Sequence, residues 1–423
     1  MPKAVENEGR ECYNDGRIIF TPDESGRSVF IPGTGGTKMK ILIATDSFKG
    51  CLSSAEAGEC IARGLEKSDF FRKNAKGNSV TCEIAEIGDG GEGTGKILTK
   101  ALGGNFVKAT VHSPVFAETT EAEYGICGKT AIVEVAAAIG IALVGKDSRH
   151  PGDLTSYGAG ELILDGLDRG CDRFLISLGG SATNDCGLGA LQALGFRFLS
   201  SDKKEVPLGA KGIKNVAFID LSRADPRLSS CTFTLLCDVK NPLCGENGCS
   251  RTFGKQKGAT ESEIKETDAA MKNFAALAAE VLGQDRSKEE GAGAAGGLGF
   301  AFSAFLHAGI QCGIDFVTEA IGLEEKIAVS DLVITGEGKT DGQTAMGKAP
   351  AGVAKLAKKY GKPVIALCGT IGEDADLCRS AGIDAVFSCL REPVSPEKAI
   401  GKEYAAANLT SLSEQVFNTL NLL

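Results

Sequence analysis

The chain has 423 residues, 43% of them hydrophobic and 24% charged, with a formal net charge of −9. That balance builds ample core for two or three domains and excludes the basic face that nucleic acid or an anionic membrane surface requires. Fifteen cysteines, none spaced as CxxC, together with an N-terminus lacking an apolar signal-peptide core, point to a reducing cytoplasmic setting and away from structural zinc.

Residues 1–38 are rich in Gly, Pro, Asp and Glu and show no periodicity, so they read as an N-terminal extension; only "RIIF" and "SVFIP" are apolar enough for a short strand pair against the body. From Met39 the pattern becomes strand, helix, strand, helix. "KILIAT" reads as a buried strand, "SSAEAGECIARGLEK" as a helix with Ser53 and Glu56 in a capping box, "TCEIAEI" as a strand, and "GEGTGKILTKAL" as the next helix. "FVKATVHSP", "AETTEAEYGI" and "TAIVEVA" then alternate like an antiparallel meander. The longest apolar stretch, "AIVEVAAAIGIALVG", is interrupted by Glu134 and is too short to span a bilayer. A helix in "DLTSYGAGELILDGLDRG", a strand in "RFLISL", strands in "NVAFIDL" and "TFTLLCDV", and a long helix over 260–283 follow. The βα rhythm returns with "DLVIT" and "PVIALCG" and closes on the helix "EYAAANLTSLSEQVFNTL". The economical fold is α/β: one parallel-sheet domain split in sequence, residues 39–107 and 288–423, with a mixed α/β domain inserted at 108–287.

The 56 glycines mark many places where the backbone must approach a neighbour or take positive φ. "GDGGEG" (88–93) matches GxGxxG after a strand, but Asp89 and Glu92 inside it would repel a pyrophosphate, and "GAGAAG" (291–296) follows the charged "SKEE" rather than a strand. A dinucleotide-dependent oxidoreductase is disfavoured on both counts. The "GKT" triplets at 128–130 and 338–340 lack the first Walker glycine, having Glu123 and Val333 there. More telling is that four polar loops, "TDSFKG", "GDGGEGTG", "LGGSATND" and "TGEGKTDGQT", each follow an expected strand, where α/β sheets bind ligands. They carry Lys49, Lys339 and Lys348 as cations, and Asp46, Asp89, Asp185, Glu337 and Asp341 as metal ligands or proton acceptors; amides of Gly179, Gly180 and Ser181 offer an anion nest. Cations, a Mg²⁺ carboxylate and a base are the parts phosphoryl transfer needs. The same residue types fill duller roles: a glycine loop after a strand is commonly a turn, and an Asp at a helix start, Asp185 and Asp89 included, is commonly a cap.

In order, the segments "ATDSFKG", "GDGGEGT", "TSYGAGELI", "GGSATND", "CDVKNPLCG", "FGKQKGA", "GAGAAGGLG" and "ITGEGKTDGQTAMGKAP" resemble the bacterial type I glycerate kinases, from Met39 to near the C-terminus. Two departures are Cys186, where the family usually has glycine, and Lys255 in place of the usual proline. The resemblance implies a flavodoxin-like domain with an inserted mixed α/β domain, a cleft between them, and ATP-dependent phosphorylation of D-glycerate, 2-phosphoglycerate being the favoured product. ATP is then co-substrate and Mg²⁺ the cofactor. The expected partners are these small molecules, without nucleic acid or membrane, and a homo-oligomer is compatible with the chain. Within that reading Asp185 is the expected base and Lys49 the clamp on phosphate or substrate. Ser47, Gly179, Gly180, Ser181, Thr183, Asn184, Gly336, Gly338 and Lys339 line the substrate and phosphate site, and Asp89 holds Mg²⁺, with Asp341 and Glu337 as alternatives. A kinase for another small hydroxy acid is the nearest rival, and a non-catalytic ligand sensor is the rival outside enzymes.

Overall fold

The computed structural model describes residues 39–74, 80–145 and 150–420, and the backbone of two upstream strands, Ile19–Pro22 and Ser28–Ile31, which pair antiparallel with each other. The rest of the expected extension lies outside the described residues.

Strand β1 (Met39–Thr45) leads to helix α1 (Ser54–Lys67), β2 (Val80–Ile84) and α2 (Thr94–Ala101). Then come β3 (Asn105–His112), β4 (Thr119–Cys127), β5 (Thr130–Glu134), α3 (Tyr157–Asp168), β6 (Arg173–Ser177), α4 (Leu188–Ala193) and β7 (Thr232–Leu236). The chain continues through α5 (Glu261–Leu282), α6 (Ala294–Phe305), β8 (Gly309–Gln311) and α7 (Gly313–Ala320). It ends with β9 (Leu332–Gly336), α8 (Ala349–Lys359), β10 (Val364–Cys368), β11 (Ala385–Ser388) and α9 (Lys402–Thr419).

Two sheets organise these elements. The first is parallel, in the order β11-β10-β9-β1-β2, so its strands, counted along the chain, stand 2-1-3-4-5 as in flavodoxin-like folds. β1 is buried at six of its seven residues because helices cover both faces, and its near-continuous apolar run is the sequence mark of that situation. The second sheet runs β8-β7-β6-β5-β4-β3, parallel from β8 to β5 and antiparallel through the β3–β5 meander. Its core holds Phe174 stacked on Phe233 at 5.0 Å and the Phe-rich α6, which is apolar on every side and almost wholly buried.

The α/β two-sheet architecture matches expectation, as does the Ser53–Glu56 capping box: Ser53 Oγ accepts from Glu56 N at 3.2 Å while Glu56 Oε2 accepts from Ser53 N at 2.9 Å. Sheet membership divides the chain differently from the expected boundaries at 107/108 and 287/288. β3 begins at Asn105, and α6 and β8 pack on or pair within the second sheet, so the crossing back to the first sheet comes with α7. The expected strand in "NVAFIDL" shrinks to Phe218–Asp220, which pairs with Arg197–Leu199 outside both large sheets. Among the described residues no helix is long and apolar enough to cross a membrane.

The two sheets meet backbone to backbone. Gly179 donates its amide to Gly90 O at 3.2 Å, and a Cβ on Gly179 would fall 2.3 Å from Gly91 Cα. Only glycine permits that approach, which places the loops after β2 and β6 in direct contact.

Candidate active site

The loop after β1 is a tight turn in which Phe48 and Leu52 exchange backbone hydrogen bonds and Gly50 takes φ +74°. Its tip carries Lys49, about half exposed, with Nζ 3.1 Å from Asp89 Oδ2. Asp89 is held in place by Gly91, whose amide donates to Oδ1 at 3.1 Å. Partial burial pulls the Lys49 pKa down, but the charges of Asp89 and Asp46 outweigh it, so the net shift is upward and the ammonium keeps its proton. At the end of β1, Asp46 is 3% exposed and accepts the Ser47 amide at 2.7 Å. Burial first, and then the charge of Asp89, push its pKa up to about 7 against the pull of Lys49.

This turn separates two cavities. One, of about 550 Å³, lies over the carboxyl ends of β1, β9, β10 and β11 and is lined by Asp46, Ser47, Lys49, Gly338, Lys339 and Lys348 among others. The other, of about 640 Å³, lies between the sheets and includes Ser47, Lys49, Gly93, Lys96, Glu134 and Gly180. Ser47, Lys49 and Cys51 border both. The Ser47 hydroxyl is buried and has no hydrogen-bond partner, so it is open to a ligand.

Of the expected site residues, Ser47 and Lys49 border both cavities, Gly338 and Lys339 the first and Gly180 the second, while Asp89 contacts Lys49 but borders neither. Gly336 ends β9 packed on β10, where a Cβ would meet Leu367 O at 1.9 Å. The two alternative metal ligands also have partners, as Asp89 has in Lys49 and the Gly91 amide. Asp341 pairs with Lys339 at 3.0 Å and caps the turn that follows by accepting Gln343 N at 3.0 Å. Glu337 is 5% exposed and accepts from the hydroxyls of Thr340 and Thr344, with its pKa raised mainly by burial.

The "GGSATND" turn behaves differently from expectation. Ser181, Thr183, Asn184 and Asp185 are all buried, and none borders either cavity. Of the three amides expected as a nest, that of Gly179 is taken by Gly90 O. Asp185 is fully buried and faces inward. Oδ2 accepts from Ser156 N at 2.8 Å, Ser156 Oγ at 2.9 Å and Gly189 N at 3.2 Å, and Oδ1 accepts from Gly187 N at 3.2 Å. Burial raises its pKa while these donors oppose the rise. A carboxylate so enclosed braces the turn against the start of α3. Asn184 likewise turns inward and donates to Ser250 Oγ at 3.0 Å. Cys186, at the family's usual glycine, adopts φ +56°, a left-handed backbone for which glycine is the natural residue.

Two residues escaped the sequence reading. Lys257, 5% exposed, reaches the turn from below, with Nζ 3.1 Å from Ser181 Oγ and 2.7 Å from Thr183 O. It sits in "FGKQKGA" two residues after Lys255, which is exposed. Asp238 follows β7. Its Oδ1 accepts from Gly313 N at 2.7 Å, tying the second sheet to the start of α7, while Oδ2 is buried without a partner. Burial, with Asp89 adding to it, lifts the Asp238 pKa to about 6.

Lys257 carries a testable pH signature. Burial lowers its pKa from 10.5 to about 8. Between about pH 8 and 10 the unfolded chain holds a proton that the folded chain has released, so its share of stability rises with pH across that window. Urea unfolding should show wild type gaining on Lys257→Met, by an amount on the order of 1–3 kcal/mol, between pH 7.5 and 10. A difference that stays flat would mean the ammonium is not buried as described.

Residues 41–421 match the Glycerate kinase family. The chain is 43% identical over 384 residues to the glycerate 2-kinase of Escherichia coli K12, covering 90% of this chain and 98% of that protein. It is 42% identical over 390 residues to the glycerate kinase of Bacillus subtilis 168, covering 91% and 98%. A crystal structure assigned to glycerate kinase 2 from Salmonella typhimurium LT2 superposes with a TM-score of 0.74 at 40% identity, covering 91% of this chain and 99% of that one. With a polar site at the carboxyl ends of a 2-1-3-4-5 sheet and near full-length similarity to these enzymes, the chain belongs to the glycerate kinase family.

Proposed function

We propose that the protein transfers the γ-phosphoryl group of ATP to the 2-hydroxyl of D-glycerate, giving 2-phosphoglycerate and ADP. The observation that carries this reading is the position of Lys49 on a turn shared by two cavities, where one ammonium can neutralise a phosphoryl group passing between two bound molecules. Phosphoryl transfer through a loose transition state depends on positioning and charge neutralisation more than on a strong base. Lys49 supplies the charge, Ser47 a free hydroxyl, and Lys339 with Lys348 further cations for the phosphates. Asp46 borders the first cavity beside Lys49, and its charge helps to hold the Lys49 ammonium protonated and in place.

The residues also fit Mg²⁺. Among the described residues no three or more ligating side chains converge. Mg²⁺, however, prefers one or two carboxylates, several waters and the substrate's own phosphates. Asp89, 3.1 Å from the Lys49 ammonium, is the carboxylate proposed to hold the ion, which would spread the negative charge of the phosphate oxygens when bound.

Incubation with MgATP and D-glycerate followed by phosphorus NMR tests the whole assignment. The expected product is 2-phosphoglycerate with stoichiometric ADP. Appearance of 3-phosphoglycerate would correct the acceptor position, and product only with a different hydroxy acid would favour the rival kinase.

A further inference from the structure

The two cavities bordered by Lys49 differ in character, and the difference assigns them. The cavity over β1, β9, β10 and β11 has an end where three lysines, Lys49, Lys339 and Lys348, outnumber two carboxylates, Asp46 and Glu337, and an apolar end built by the chain after β11. That apolar end consists of Leu390, Val394, Pro396, Ala399, Ile400 and Tyr404, with Asn408 beside it. Ile400 is 54% exposed although it faces this hollow, which is an unusual amount of water contact for a branched aliphatic side chain in a concave site. The cavity between the sheets has the opposite balance. Five carboxylates, Glu86, Glu92, Glu121, Glu123 and Glu134, border it against Lys49, Lys96 and Lys100. A triphosphate carries several negative charges and is repelled there, whereas a small acid needs only the inner end beside Lys49.

We infer that the segment Leu390–Asn408 forms the pocket for the purine of the nucleotide, with the ribose and phosphates running inward past Lys348 and Lys339 to Lys49. The inference rests on the ATP-dependent reading above and adds to it the site and orientation of the donor. Three features converge on it. The volume of about 550 Å³ accommodates a nucleoside triphosphate. The hollow stands at the point where the strand order reverses, between β1 and β9, where open α/β sheets hold nucleotides. Its polarity runs from apolar to cationic in the same sense as a nucleotide runs from base to phosphate, and the Asn408 amide provides both donor and acceptor for a base edge. The acceptor then occupies the other side of the Lys49 turn.

Isothermal titration of the full chain with ADP and, separately, with inorganic tripolyphosphate tests the placement. Ala399→Trp, which fills the apolar end, should raise the ADP dissociation constant at least about ten-fold, and Ile400→Asn about three- to ten-fold. Both should leave tripolyphosphate binding and the KM for D-glycerate within about two-fold of wild type, with KM for ATP rising in parallel with the ADP constant. Unchanged ADP affinity in both variants would overturn the purine pocket while leaving the kinase reading intact. Equal loss of ADP and tripolyphosphate would also overturn it, since the effect would then act on the phosphate end. If wild type binds neither probe, the nucleotide reading itself falls and the pocket with it.

Discussion

Replacement of Lys49 by alanine should lower kcat by about 10³-fold with little change in the unfolding midpoint. The side chain is about half exposed at the tip of a turn, so no core contact depends on it. Its charge, by contrast, faces Asp89, Asp46 and Glu337, three carboxylates that would otherwise repel an incoming phosphate. Lys49→Arg should recover part of the rate, because charge is restored but the guanidinium fork is broader than an ammonium. Steady-state kinetics with saturating ATP, paired with thermal denaturation, separates the effects. A Lys49→Ala enzyme within about ten-fold of wild type would remove this residue from the reaction.

Replacement of Asp185 should act on the fold rather than on turnover. Four donors converge on its carboxylate in a site without solvent. Asp185→Ala strands all four, a loss of about 3–5 kcal/mol. Asp185→Asn keeps one acceptor oxygen but turns an NH₂ group toward amide donors, so it should be destabilising as well. Urea unfolding should report the loss, while kcat per folded molecule stays within about ten-fold. A fall of two orders of magnitude in kcat with unchanged unfolding would restore Asp185 to the chemistry as a base.

These two residues mark where the sequence was legible and where it was not. The βα rhythm, the mixed second sheet and the Ser53–Glu56 box depend on local periodicity and on spacing of three, so they could be read directly. Lys49 was found because a lysine in a polar loop just past a buried strand has few structural uses. Asp185 sits in a loop of the same kind, yet it turns inward, and only the approach of Ser156 from the start of α3 decides that. Lys257 looks like one lysine among several near a short helical turn; its burial follows from long-range packing under residues 181–183. β8, of three residues, is too short to stand out from its flanking Ala and Gly. The division at 288 could not place α6, because that helix is apolar on nearly every side and carries no sign of which sheet it covers.

β1 and β9 are neighbours in the first sheet, yet the backbone amide of Lys40 is satisfied by the carboxylate of Asp331, 291 residues further on. During synthesis the earliest strand therefore emerges long before its central neighbour exists, while the segment between them can close its own sheet without help from either end. Assembly of the reaction centre is thus a late event on the ribosome. Truncation anywhere before Gly336 leaves a sheet without its middle, and with it a polypeptide exposing the apolar flank of its first strand.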